Sequence, residues 1–335
     1  MEFIGLDAAR QTVRTLRLLH MQWNRRYYEA GDFALQMRAA DWDTAIAYVC
    51  AAGRPETGMV EKVETERTLK GDFVNVSGYF LEGMLNWKIV YPRYSGEGNV
   101  PQACRALVRA LMGDTGVLAP EGEPLGQAAL LDIEGDRLGD AAYAALRAQE
   151  LGQRIRLIGD QFLYEVWQGT DRTQSQTANP YAVFSRGFGT VDSLTLTRDT
   201  SALRNCALAV YEGGQLTVDL RAGTEPQRML YVETGLAQEE GQTEAAFLAA
   251  VEAQARAELA EYPAIVNIDA TALQRNIRYG VDYDLGDRCD VRDDTLGLSF
   301  EARIIEANEV WKTNEHTVSL QFGDKLPTAT QRGKA

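Results

Sequence analysis

Along the first third of the chain, apolar residues fall mainly on alternate positions, the spacing of half-buried strands. TVRTLRLLHMQWNRRYYEAGDFALQMRA predicts a long hairpin with EAGD, residues 29 to 32, as its turn. TAIAYVCAAG is a further strand. GMVEKVETERTLKGDFVNVSGYF places Lys70-Gly71-Asp72 between two more. So many pairable strands in under a hundred residues predict a compact antiparallel sheet or barrel over 1–95.

The period then changes. NVPQACRALVRALMG (99–113) carries Cys104, Leu107, Val108 and Leu111 at helical spacing, with Asn99 as N-cap, Pro101 in the first turn and Gly113 as the stop. Strand AALLDIEG, helix GDAAYAALRAQELG and strands RIRLIGD and QFLYEVWQ follow, making 96–170 a small α/β unit. GTDRTQSQTANP (169–180) reads as an exposed loop and a boundary.

Beyond it the alternation returns. CALAVYEGGQLTVDL predicts a hairpin in which Gly213 and Gly214 supply the positive φ angles of a two-residue turn. TEAAFLAAVEAQARAELAEYP predicts a second long helix, capped by Thr243, ended by Pro263 and apolar along Phe247, Val251, Ala255, Leu259 and Tyr262. Leu298, Phe300, Ala302 and Ile304 alternate inward. The phase slips at Ile304-Ile305, as a β-bulge would make it, and Val318, Leu320 and Phe322 mark the last strand. Strands, one helix and strands thus occur near each end of the chain. The domains expected are 1–95, 96–170 and 171–325, with 326–335 as a flexible tail.

Composition narrows the function more than the fold. In 335 residues, 48 acids stand against 34 bases, a formal net charge of −14. A protein that holds nucleic acid by neutralising phosphates has the opposite balance. Cys50, Cys104, Cys206 and Cys289 are far apart with no C-x-x-C pair, which points to reduced core residues and not to a zinc knuckle or a disulfide scaffold. MEFIGLDAARQTVR lacks the basic start and apolar run of a signal peptide, and no stretch approaches the ~18 apolar residues of a membrane span. No membrane anchor is expected.

The densest candidate chemistry lies at 282–294, DYDLGDRCDVRDD, with six acids. A calcium loop starting at Asp282 would need an oxygen ligand at position 5, glycine at 6 and glutamate at 12. It has Gly286, Asp287 and Asp293 there. The stronger reading is a structural turn made by Asp284, Gly286 and Asp287, feeding a strand with Cys289 and Val291 inward. His20 and His316 are too few for a three-histidine zinc site. No HExxH, GxSxG or P-loop spacing occurs, and Gly187-Phe188-Gly189 has no third glycine or helix in place. Two carboxylates suffice for a glycosidase, so acids alone decide nothing there. No catalytic, cofactor-binding or metal-binding residue is assigned, and no enzymatic activity or cofactor is expected.

Three stretches together resemble the siphovirus Gp37-like family of tail proteins, relatives of the baseplate hubs of tailed bacteriophages. They are FVNVSGYFLEGMLNWKIVYP (73–92), YAVFSRGFGTVDSLTLTRDTSALRNCALAVYEGG (181–214) and YGVDYDLGDRCDVRDDTLGLSFEARIIEANEVW (279–311). The resemblance runs in order over most of the chain and is least specific at 115–170. It implies a β-rich α+β fold: two tail-tube-like β-barrel domains, each with a packed helix, joined by a small α/β unit. It further implies a homotrimer, a ring of six barrel-like domains at the tail tip or baseplate of a virion, assembled in the bacterial host cytoplasm. The partners implied are the distal tail or tail tube protein, the tape measure protein and tail-tip or receptor-binding proteins, with DNA passing only transiently through a central channel. A carbohydrate- or receptor-binding tail protein is the alternative, and a cell-wall hydrolase the third.

Overall fold

The computed structural model describes residues 1–238, 241–313 and 315–323. The expected tail, 326–335, lies outside the described residues. The chain forms two compact units, one of Met1–Thr195 with Asp269–Gly323, the other of Leu196–Ile268.

The first unit is built on a ten-stranded sheet to which both ends of the chain contribute. Strand Leu18–Arg26 pairs antiparallel with Asp32–Arg38, which pairs with Gly71–Tyr79, which pairs with the edge strand Lys62–Thr68. On its other side Leu18–Arg26 pairs with the long strand Leu298–Lys312, bringing Trp23 opposite Glu309. Glu315–Gly323, Ile265–Ala272 and Val191–Asp199 continue the order to the opposite end, and Arg288–Asp293 pairs with the long strand and with Val183–Phe184. The slip expected at Ile304-Ile305 is there: the register of the last hairpin shifts between Ile304 and Glu306. Phe300 and Ala302 are half-buried beside Cys289 and Val291, whereas Leu298, at the hairpin tip, is exposed.

Alternation gives this sheet two unlike faces. Met21, Trp23, Phe33, Leu35, Met37, Val74 and Val76 are buried in a core with Phe3, Leu16, Ile46, Val49 and Phe80. The Trp23 and Phe80 rings stand 4.5 Å apart. Each such side chain contributes roughly 1.5–3 kcal/mol by leaving water. The residues one position out of phase, His20, Gln22, Gln36, Asn75, Ser77 and Glu64, lie together on a polar face, with Gln36 Nε2 donating to Asn75 Oδ1 at 3.0 Å.

The same unit carries two helices, α1 (Val100–Leu111) and α2 (Leu138–Arg147). Asn99 caps α1 by accepting from Gln102 N, and Val100, Cys104, Leu107 and Val108 face a core shared with Leu138, Leu146, Ile155 and Tyr164. Strands Gly152–Ile158 and Gln161–Trp167 form its antiparallel pair.

The second unit is a three-stranded sheet, Gly214–Asp219, Cys206–Tyr211 and Met229–Glu233, covered by α3 (Glu244–Ala260). Thr243 caps α3 through Ala246 N, and Phe247, Val251, Ala255 and Leu259 pack on Ala207, Ala209, Val218 and Val232. Its hairpin turn departs from the Gly213-Gly214 expectation. Tyr211 pairs with Gly214, so Glu212-Gly213 make the turn and only Gly213, at φ 90°, is left-handed. Gly214 sits as the first strand residue because a Cβ there would press on the Tyr211 ring at 2.7–2.9 Å.

The fold is therefore β-rich with packed helices, as expected. The described sheets are open, each strand order having two ends, where closed barrels were expected. An edge at each end of the ten-stranded sheet is what one chain alone leaves unpaired.

Candidate functional site

The acidic stretch forms a turn that opens strand Arg288–Asp293. Asp287 N donates to Asp284 O at 3.2 Å, and Gly286 between them takes φ 83°, a conformation that glycine adopts without strain. The turn is bonded to the bulge of the long strand: Gly286 N donates to Ile304 O at 2.8 Å, and Ile304 N to Asp287 O at 2.9 Å. A Cβ on Gly286 would lie 2.5 Å from the Tyr27 ring and 2.8 Å from that of Trp167, two rings packed edge to face 4.8 Å apart.

Each of the six acids has separate work. Asp282 accepts from Arg278 N (2.8 Å), and Asp293 from Thr295 N and Leu296 N. Asp294 accepts from Ser185 Oγ (2.7 Å) and Gly187 N (2.8 Å), contacts that hold its carboxyl below the ordinary range. Asp284 accepts from Arg25 and from Leu285 N. Burial works against its ionisation, but the Arg25 guanidinium outweighs that and keeps the carboxyl low. Asp287 accepts from Thr170 N (2.7 Å), Arg172 Nε (2.6 Å) and Asp284 N (2.9 Å). Burial raises its carboxyl, and those donors pull the other way without cancelling the shift. Asp290 accepts from Gln174 N at 2.9 Å. Among the described residues no group of three or more acidic, histidine or cysteine side chains is placed to hold a metal ion.

These bonds also change the reading of the 169–180 loop. It is strapped along the acidic turn by Asp287 and Asp290, and Thr173 within it is wholly buried. Gly169 approaches the Gly286 carbonyl so closely that a Cβ would fall 1.9 Å from its oxygen. The structure thus brings Asp284, Gly286 and Asp287 together in one turn. Gly213 and Gly214 belong to the hairpin of the second unit.

Beside the turn lies an ion network that sequence reasoning missed. Arg25, 1% exposed, forms an ion pair with Glu56 (2.7 Å) and donates to Asp284 (2.5 Å) and Tyr279 Oη (2.5 Å). Arg54 binds Glu309 through two 2.5 Å bonds and lies over the Tyr279 ring. His316 Nε2 stands 3.1 Å from Glu309 Oε2, its ring stacked on Trp311. The signal was in the alternation: Arg25 follows Met21 and Trp23 on the inward phase, and Glu309 follows Ala307. A charge on the apolar phase of a strand announces a buried partner. Removing one member of such a pair costs roughly 3–5 kcal/mol, since the other charge stays buried. The network joins residues 25 and 56 to residues 279, 284 and 309, and so ties the beginning of the chain to its end. Asp284 and Glu309 accept from guanidinium and other N–H groups and, with Glu56 paired to Arg25, form a fastening.

Comparisons agree with the fold. The family model described as Siphovirus ReqiPepy6 Gp37-like protein matches residues 10–324. A tail protein of Neisseria meningitidis MC58 superposes with a TM-score of 0.65 at 15% identity, covering 97% of each chain. The 43 kDa tail protein of prophage MuSo2 from Shewanella oneidensis gives 0.61 at 12% identity, over 96% of this chain and 97% of that one. Prophage tail protein gp18 of Listeria monocytogenes EGD-e gives 0.59 at 9% identity, over 100% and 99%. Comparison with the curated proteins gives no match.

Proposed function

The chain belongs to the Siphovirus ReqiPepy6 Gp37-like family, a family of phage tail proteins, and from that membership we propose that it is the hub of a tail tip or baseplate. Three copies form a ring that joins the tail tube to the tip proteins and leaves an axial channel. The observation that carries this reading is the ten-stranded sheet, apolar on one face, polar on the other and open at both Lys62–Thr68 and Val191–Asp199. Two different free edges on one protomer suit a head-to-tail contact, and a head-to-tail contact that closes gives a ring. Closure between subunits would supply the barrels that a single chain leaves open. Regions 1–95 and 171–325 then act as two tube-like halves around the 96–170 unit.

In this reading the role is structural, with no enzymatic step. Its partners are the distal tail or tube protein, the tape measure protein and tip or receptor-binding proteins. The site of action is the virion, after assembly in the host cytoplasm. The polar sheet face lines the channel and DNA touches it only in passing.

The test is the copy number of this chain in purified tail particles, by quantitative mass spectrometry against the tube protein. Three copies per particle are expected. Six or more would place it in the tube or fibres, and none would overturn the hub reading.

A further inference from the structure

A cavity of about 10 Å³, the lower limit for a single water molecule, lies beside the ion network. Arg25, Arg26, Glu56, Glu82, Arg154 and Trp167 contribute to its lining. Glu82, 4% exposed, stands on the 3-10 segment Leu81–Trp87. Its Oε1 receives a long bond from Gly31 N, 3.4 Å, and its Oε2 is buried with no hydrogen-bond partner among the described residues. Glu56 Oε2 is in the same position.

The charged groups around Glu82 come from every element packed on it, and the cations are engaged elsewhere. From the first hairpin, Arg25 is bound to Glu56, Asp284 and Tyr279, and Arg26 to Asp32 at 2.5 Å. From strand Gly152–Ile158, Arg154 is bound to Glu165 at 2.8 Å and lies over Trp167. Tyr143 of α2 is buried nearby and adds no positive charge. A second carboxylate, Glu56, therefore faces the cavity with Glu82, and among the described residues no cation is committed to Glu82. Burial disfavours an uncompensated charge, so keeping the proton is the more stable state.

We propose that Glu82 is a proton-holding site: it stays a neutral acid in the folded protein and donates through one bound water toward Glu56. Burial, with Glu56 adding to it, pushes its carboxyl from the ordinary 4.5 up to about 8. A raised folded value means that the folded state keeps a proton the unfolded chain releases. The stabilisation is complete below about 4.5 and is lost as pH rises toward about 8. Over that window the folding constant falls about tenfold per pH unit from this group. The device makes the fastening between the first hairpin and the 3-10 segment weaken in alkali, whatever the protein's place in a particle.

The test is a carbon-13 carboxyl titration of the full chain labelled at glutamate. One glutamate is expected to change near pH 8 while the exposed ones change in the acid range, and Glu82→Gln should remove that signal alone. Urea unfolding of Glu82→Gln should also lose about tenfold per pH unit of the wild-type dependence between pH 6 and 8. If all glutamates of the wild-type chain titrate in the acid range, the proposal is overturned, and that spectrum needs no variant to fold. A crystal structure showing direct Glu82–Glu56 contact across a dry cavity would overturn the water bridge.

Discussion

Gly286 carries the tightest constraint in the acidic turn. Its φ of 83° excludes a β-branched residue on backbone grounds, and the Tyr27 and Trp167 rings exclude any Cβ on steric grounds. Gly286→Val therefore combines a left-handed backbone penalty of ~1–2 kcal/mol with overpacking of ~1–3 kcal/mol. The expected loss is on the order of 2–5 kcal/mol, read as a drop in urea midpoint at unchanged slope. A variant within about 0.5 kcal/mol of wild type would mean that the turn relaxes freely. This residue was legible in the sequence, because L-G-D before an alternating run announces a glycine turn. Its rings were not. Tyr27 and Trp167 are 140 positions apart, and only the tertiary fold makes them its neighbours. Arg25 and Glu309 were legible in principle, as charges on an inward phase. Glu82 was not, since the 3-10 segment that buries it has no strand or helix period to violate.

Elements whose signals are local were read nearly whole. Asn99 and Thr243 cap their helices as their side chains dictate, and the bulge at Ile304 follows from one phase slip. The hairpin turn was misplaced by one residue because the Gly213-Gly214 pair offers two registers, and the packing of Tyr211 over Gly214 chooses between them. The 169–180 loop looked exposed because it is polar. Its polar groups instead satisfy Asp287 and Asp290, partners more than a hundred residues away. The helix cap gives a prediction at this scale. Thr243→Ala removes one accepted N–H bond and is expected to cost ~0.5–2 kcal/mol. Because the second unit has its own small core, that loss should appear as faster amide exchange in Glu244–Ala260. Amides of Leu18–Arg26 should keep their protection. Equal acceleration in both segments would show that the two units open together.

At the scale of the whole molecule, the chain joins its ends in one sheet, and local pattern could not foresee that. Strands Leu18–Arg26 and Leu298–Lys312 each read as a member of its own half, yet their pairing, and the Arg25 and Arg54 network behind it, makes them neighbours. The sheet's polar face then decides what a channel built from it would do. Asp32, Glu64, Glu66, Asp269, Glu306 and Glu315 lie with Arg26, Arg38, Lys62 and Lys312 on that face; Arg26, Lys62 and Lys312 are matched to Asp32, Glu64, Glu306 and Glu315, and Arg38 lies over the Phe73 ring, across from Glu66. What remains is negative, with Glu66 and Asp269 on the exposed surface. Such a face repels phosphate, so DNA would slide past it without releasing counterions or sticking. Under the hub reading, the isolated wild-type protein is expected to leave duplex DNA free at low salt in a fluorescence anisotropy titration. Glu64→Lys with Glu66→Lys should create binding that weakens as salt rises, with a slope of about 0.9 per phosphate neutralised. Particles carrying the pair should release DNA more slowly. Equal DNA affinity in wild type and variant would show that this face does not meet DNA, and the channel would have to be lined by another surface of the ring.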